Sequence, residues 1–352
     1  MTRGKLISRG RRRLLAVASL GLASVLMAGC GGEAVEANDE GVYEIPITVT
    51  HYPTLLYAVP YVVGMEKGFF AEENIKLTEI AGSEGGGTTV RNVVTGNLPL
   101  GEVATPAAAQ ALAQGSDVVA VGGGVQSVAE INFVGEKGSG AQDISALEGK
   151  KVAYSSPGSV TQGVLALALD NAGIDPADVD AKALGGISEG LTALSGGAVD
   201  IAANLEPVYS ADPSPYEVAF WADDHVPAFQ QTVIIAGREL VDTEPEMIEG
   251  FLRARAKSIE WIEQNPDEAA ALWAEEADIE EQVARDSLKT VLKNDYFGVG
   301  FSEEGLSAVD KEMELIDLVP EGQDVAWEDL IDPSLLPEGA PSVDPATIGD
   351  EG

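Results

Sequence analysis

One cysteine, two histidines and a shortage of cations set the first limits on this chain. Among 352 residues only Cys30 carries a thiol. That excludes a disulfide framework, a thiolate metal cluster and a cysteine nucleophile in the body of the protein. Neither His51 nor His225 has a second histidine at metal-ligand spacing, so no metal site and no cofactor is expected. Lys and Arg number 21 against 58 Asp and Glu, a formal charge of -37. Such a chain repels nucleic acid and does not dock on anionic lipid by charge. The acids are scattered, which reads as a solvated surface and suits a salty medium that screens repulsion. Long apolar runs are missing too. The longest, Leu14 to Ala28, is short and rich in small residues, unlike a spanning helix. Yet 45% of the residues are hydrophobic, enough for real cores and too many for a disordered acidic chain.

What is present begins with an address. Arg3, Lys5, Arg9, Arg11, Arg12 and Arg13 precede the apolar run, with no acid among them. The run ends in Leu26-Met27-Ala28-Gly29-Cys30. A basic region, an apolar region and small residues before a cleavage point make a signal peptide, residues 1–29. Cysteine after Ala-Gly resembles the lipobox of bacterial lipoproteins, with Met27 where leucine is usual. That resemblance implies a lipid on Cys30 and a place on the outer face of the cell membrane. Arg11-Arg12-Arg13-Leu14-Leu15 resembles a twin-arginine export signal, and serves equally as the positive region of the general secretion route. Residues 30–42, small and acidic, read as a flexible tether.

The body alternates strand and helix. Ile45–His51, Ile75–Ala81, Leu98–Val103 and Val118–Gly122 read as strands, with helices over Leu55–Met65, Thr88–Thr95 and Ala107–Ala113 between them. The pattern restarts with strands at Ile131–Gly135, Lys150–Ser155, Lys182–Leu184 and Val199–Asn204, and helices at Ser159–Asn171 and Ser188–Ser195. Phe229 to Ala236 looks like a strand returning to the first unit. Thr243-Glu244-Pro245-Glu246 has capping-box spacing and opens a helix to about Gln264; Asn265-Pro266-Asp267-Glu268 repeats the signal. Helices then cover about Glu280–Leu292 and Ser302–Leu318. Alternation of this kind makes parallel sheets flanked by helices.

The order of these elements, with Glu66-Lys67-Gly68-Phe69-Phe70-Ala71-Glu72-Glu73-Asn74-Ile75, resembles the nitrate/sulfonate/taurine-type binding proteins. Their superfamily is shared with pyrimidine-precursor binding proteins of thiamine salvage. The likeness continues through Leu147-Glu148-Gly149-Lys150-Lys151-Val152, Ser156-Pro157-Gly158-Ser159 and Leu191 to Asp200. It implies an α/β, two-lobe periplasmic-binding-protein type II fold, with two crossover strands and C-terminal helices packed on the first lobe. Residues 43–128 and 231–336 would form that lobe, 129–230 the second, and 337–352 a disordered acidic tail. It also implies a monomer that hands a small molecule to the permease of an ABC importer. A ligand-sensing lipoprotein of the same fold is the alternative. The superfamily's pyrimidine synthase needs a cysteine-rich motif, which this chain lacks, so no catalytic residue is expected.

Open α/β sheets bind ligands at the carboxyl ends of strands, where helix N-termini offer free N–H groups. His51, Tyr52 and Thr54 follow the first strand; an aromatic there can stack on a ligand. Ser83 and Thr88 flank the Gly-rich loop, Thr105 precedes Pro106, and Ser159 and Thr161 open a helix. Ser159 also has capping-box spacing to Gln162. Gln126 lies at the first crossover. Asn204 and Glu206 end the strand Val199–Asn204, where a carboxylate can receive an amine or a ring N–H. No Lys or Arg is placed at a strand end, and Arg91 sits one turn into a helix. A zwitterion such as an aminosulfonate, or a neutral heterocycle, therefore suits these residues better than a bare anion.

Overall fold

The computed structural model describes residues 35–96, 98–293, 295–319 and 325–349. The leader and Cys30 lie outside the described residues. The chain opens with β1 (Tyr43–Thr50), α1 (Val59–Glu66), α2 (Phe69–Glu72), β2 (Ile75–Ser83), α3 (Gly86–Val94), β3 (Leu100–Ala104), α4 (Thr105–Ala113) and β4 (Val118–Gly123). It crosses to β5 (Ile131–Glu136), β6 (Lys151–Tyr154), α5 (Val160–Ala172), β7 (Asp180–Ala183) and α6 (Ile187–Ser195). Then come β8 (Ile201–Leu205), α7 (Val208–Ala211) and β9 (Tyr216–Trp221). It returns as β10 (Thr232–Gly237), followed by α8 (Arg238–Thr243), α9 (Pro245–Gln264), α10 (Pro266–Ala277), α11 (Glu281–Val291), α12 (Glu303–Leu315) and α13 (Trp327–Leu330).

These strands form two five-stranded sheets, ordered β2-β1-β3-β10-β4 and β7-β6-β8-β5-β9. In each, a strand arriving from the other lobe runs antiparallel: β10 beside β3 and β4, β5 beside β8 and β9. The lobes are joined by the segments 124–130 and 222–231. Central strands read as continuous apolar runs because both faces are covered; all six residues of β4 are buried. Pro46 cannot donate to a ladder, and the β1–β2 register shifts between Ile45 and Pro46.

Helices α9 and α10 pack on α1 in the first lobe. Buried Ile248, Phe251, Leu252, Arg255, Ile259 and Ile262 recur at helical spacing along α9 and face the core. Two details of the helix starts differ from the sequence reading. Glu244 and Asn265 precede α9 and α10 but neither side chain caps its helix. Thr243 Oγ1 donates to Glu239 O, and Asn265 Nδ2 to Trp261 O. Proline at the first helical turn, with its fixed φ, is what both starts retain. Helix α12 reaches further than the first lobe, packing on α4 and on α5 of the second. Its Leu306, Val309 and Met313 join one buried cluster with residues of both sheets.

The two ends of the described residues depart from the sequence expectation. Val35 packs against the first core, and Asn38 Oδ1 accepts the N–H groups of Glu40 and Val42, so 35–42 is not a free tether. Residues 337–349 are packed rather than unstructured. Pro341 O accepts the Phe301 N–H at 2.9 Å, and Ile348 is 8% exposed. A Cβ on Gly300 would stand 2.4 Å from Pro341 O, so glycine permits that approach. Composition spoke for disorder; one apolar anchor and backbone pairing decide otherwise.

Candidate functional site

The carboxyl ends of β1, β2 and β3 carry a chain of hydroxyls. Ser83 Oγ and Thr89 Oγ1 share a hydrogen bond of 2.5 Å, Thr89 and Thr50 one of 2.9 Å, and Thr50 Oγ1 donates to Glu102 O. All three side chains are buried. The expected Thr88 points elsewhere, accepting from Arg91 Nη2 at 3.2 Å. One residue along a helix rotates a side chain by about 100°, so Thr89 takes the inner place. His51 closes β1 with a left-handed φ of 58° and an exposed side chain; Thr54 is exposed as well. Tyr52 turns to α10, its hydroxyl donating to Glu276 Oε1 at 2.8 Å. Burial, then that carboxylate, pushes its phenol well up.

On the second lobe Thr161 Oγ1 accepts the Ser155 N–H at 3.0 Å and shares hydrogen bonds with Ser155 Oγ and Ser159 Oγ. Ser159 also caps α5, accepting the Gln162 N–H at 3.3 Å. These hydroxyls sit where the β6 end meets the first turn of α5. Asn204 lies opposite Asn132 in the β8–β5 ladder, so both amides share a face of the sheet. Both residues are fully buried, and Asn204 Nδ2 and both polar atoms of Asn132 lack partners.

Three expected contacts are spent on holding the lobes. Thr105 Oγ1 donates to Gln230 O on the second crossover. Gln126 Nε2 donates to Gly300 O at 2.7 Å. Glu206 is 1% exposed. Its Oε1 accepts from Ser210 Oγ, and its Oε2 from the Ser210 N–H and from Ser287 Oγ at 3.1 Å. Ser287 belongs to α11, so Glu206 ties the second lobe to the C-terminal helices. Burial raises its pKa, and the hydrogen bonds from Ser210 and Ser287 work against the rise.

The sequence reading passed over the floor between the crossovers. Glu130 ends the first crossover and Gln231 the second, and Gln231 Nε2 donates to Glu130 Oε1 at 2.5 Å. Tyr57 and Tyr296 lie beside them, and Glu130's charge adds to burial in raising both phenols. Behind this floor Glu102 accepts from Tyr61 Oη and Thr232 Oγ1, each at 2.7 Å, and pairs with Arg255 at 3.2 Å, acid and base both fully buried. No local pattern separates such an acid from a solvated one; only its partners do.

Gly186-Ile187-Ser188-Glu189-Gly190 has the spacing of a hydrolase elbow and forms the N-cap and first turn of α6. Ser188 is exposed, with a helical rather than left-handed backbone. His225 packs edge-on against Phe220, 5.4 Å between ring centroids, and no nucleophile–base pair is assembled with it. Among the described residues no group of three or more His, Cys, Asp or Glu could hold a metal ion.

Two sheets exchanging one strand each, with polar side chains collected at the crossovers, define a two-lobe solute-binding architecture. Solved structures share it. The periplasmic aliphatic sulphonate binding protein SsuA from Escherichia coli superposes with a TM-score of 0.70 at 20% identity, covering 84% of this chain and 94% of that one. The fold is the periplasmic binding protein fold. Residues 56–269 match the family model described as NMT1/THI5 like, and the chain belongs to that family. A formylaminopyrimidine-binding protein of Halalkalibacterium halodurans is 28% identical over 264 residues, 72% of this chain and 76% of the relative. A putative aliphatic sulfonates-binding protein of Bacillus subtilis is 24% identical over 269 residues, 75% and 79% respectively.

Proposed function

We propose that this protein is an extracytoplasmic solute-binding lipoprotein that captures a small polar organic molecule between its lobes and delivers it to an ABC importer. The ligand is of the sulfonate, taurine or nitrate class, or a pyrimidine-type heterocycle; the two relatives above are named for an aliphatic sulfonate and a formylaminopyrimidine. The observation that carries the reading is the placement of unpartnered and hydroxyl-bearing side chains at the strand ends and crossovers of both lobes. In this reading Ser83, Thr50 and Thr89 serve the site from the first lobe, and Ser155, Ser159 and Thr161 from the second. Each can turn a hydroxyl toward a ligand oxygen or nitrogen. Hinge bending about the two crossovers would close the lobes on it, and the closed form would dock on the permease. No bond is broken in this scheme, so no residue is assigned a catalytic role. The anchor is the lipid on Cys30, and the protein acts as a monomer outside the membrane.

A thermal-shift screen of the leaderless protein in high salt tests the reading. Taurine, alkanesulfonates, nitrate and aminopyrimidines form the panel. A ligand at a hundredfold its dissociation constant adds about 2.7 kcal/mol to stability. One dose-dependent shift supports the reading. A cooperative melt unmoved by every compound refutes the ligand classes named. Labelling with radioactive palmitate tests the anchor: it marks the natural chain and is lost in Cys30→Ser.

A further inference from the structure

We propose, resting on the binding role above, that Glu130 is the counter-charge for a cationic or strongly N–H-donating group on the ligand. The ligand is then an ammonium- or amidinium-bearing molecule, such as an aminosulfonate zwitterion or an aminated heterocycle, rather than a bare anion.

Glu130 is 4% exposed, at the floor between the two crossovers. One carboxylate oxygen is satisfied by Gln231; the other, Oε2, has no hydrogen-bond partner. A buried carboxylate in that condition is costly unless a positive group pairs with it. None among the described residues does. Arg255, the one fully buried cation among the described residues, is committed to Glu102. The groups that act on Glu130 are Gln231, Tyr296 and the like-charged Asp223, and Tyr57 and Glu102 complete the cluster. Tyr296 Oη, itself without a partner of good geometry, stands within hydrogen-bonding influence of Glu130: its hydroxyl lowers the carboxyl's pKa, and the carboxylate raises the phenol's. Gln231 Oε1 is a further unpartnered acceptor on the same floor. Beside that one phenol donor the floor holds two unpartnered acceptors, Glu130 Oε2 and Gln231 Oε1, and a carboxyl group that a cation can draw into its ionised form. An arriving ammonium or amidinium supplies donors and charge together, and the tyrosine rings add favourable faces for a cation. The sequence-level preference for a zwitterion over a bare anion thereby passes from Glu206, whose oxygens are occupied, to Glu130, whose Oε2 is buried without a partner.

Calorimetric titration with matched probes tests this. Taurine and isethionate share a sulfonate and differ as ammonium against hydroxyl. 4-Amino-2-methylpyrimidine and 2,4-dimethylpyrimidine differ as amino against methyl. The natural protein should bind the aminated member of at least one pair about tenfold more tightly or better, the scale of a charge-assisted hydrogen bond. Glu130→Gln, with its fold checked by circular dichroism, should erase that preference. Independently of the variant, titration in two buffers of different ionisation enthalpy should show proton release on binding the aminated probe and none with its partner. Equal or tighter binding of isethionate or dimethylpyrimidine, or a preference unchanged in Glu130→Gln, overturns the proposal and leaves the binding role standing. Absence of binding by all four probes overturns it too. In that case nitrate and the alkanesulfonates of the thermal screen decide whether the binding role falls with it.

Discussion

Glu130→Gln should stabilise the unliganded protein at alkaline pH and leave it nearly unchanged in mild acid. Burial pushes the Glu130 carboxyl up from 4.5 to about 7, against the hydrogen bond from Gln231 and helped by Asp223. The folded chain thus holds a proton that the unfolded chain has released. Stability attributable to this group is fully present below pH 4.5. It falls as pH rises through 7 and stays lost above. A rise of 2.5 units at about 1.4 kcal/mol per unit amounts to about 3 kcal/mol. Glutamine keeps the acceptor that Gln231 uses and carries no charge at any pH. The difference in unfolding free energy between the two proteins should therefore grow by about 2.5 kcal/mol between pH 5 and pH 8, the rest having been lost below pH 5. Urea unfolding at both pH values, followed by circular dichroism, reads it directly. Glu206 and Glu312, also raised by burial, are common to both proteins and cancel in the difference. A gap that stays constant from pH 5 to pH 8 would refute the reasoning, because it would mean that Glu130 is paired or hydrated in the folded state.

Gly163→Ala on α5 should destabilise the α5–α12 contact. Its Cβ would stand 1.6 Å from Glu312 Oε1, and Glu312 is fully buried with nowhere to retreat. Overpacking of about 1–3 kcal/mol outweighs a helix-propensity gain of roughly 1 kcal/mol. Adding Glu312→Ala should recover the loss, a coupling measurable by a double-mutant cycle of urea midpoints. Arg255→Met should cost about 3–5 kcal/mol, since Glu102 then keeps a buried charge with only Tyr61 and Thr232 as donors. Arg255→Met with Glu102→Gln should be closer to the natural stability than Arg255→Met alone, by the same urea assay.

The helix and strand order was legible because periodicity is a local property: the apolar run of β4 or the spaced apolar residues of α9 need no knowledge of their neighbours. Strand β9, Tyr216–Trp221, was missed although its aromatic and β-branched residues carry the signal. Placement of the candidate site at strand ends was also legible, since helix starts rich in Ser, Thr and Gly mark those ends. What each side chain does there was not. Thr105, Gln126 and Glu206 look like free polar groups in the text, but their partners, Gln230, Gly300 and Ser287, lie 125, 174 and 81 residues away. Glu130 shows the converse. Nothing around it in sequence distinguishes it from the many solvated acids of this chain, and the Gln231 amide that donates to its carboxylate lies 101 residues away. In a chain with so few cations, an acid's significance lies in whether a cation reaches it. Lys67, Arg238, Arg253 and Arg285 sit on the surface against acids that water already serves, where an ion pair adds little. Arg255 is held by Glu102, and Glu130 is left to meet whatever enters between the lobes. That distribution of charge, more than any motif, is why the floor of the cleft favours a ligand that brings a positive group with it.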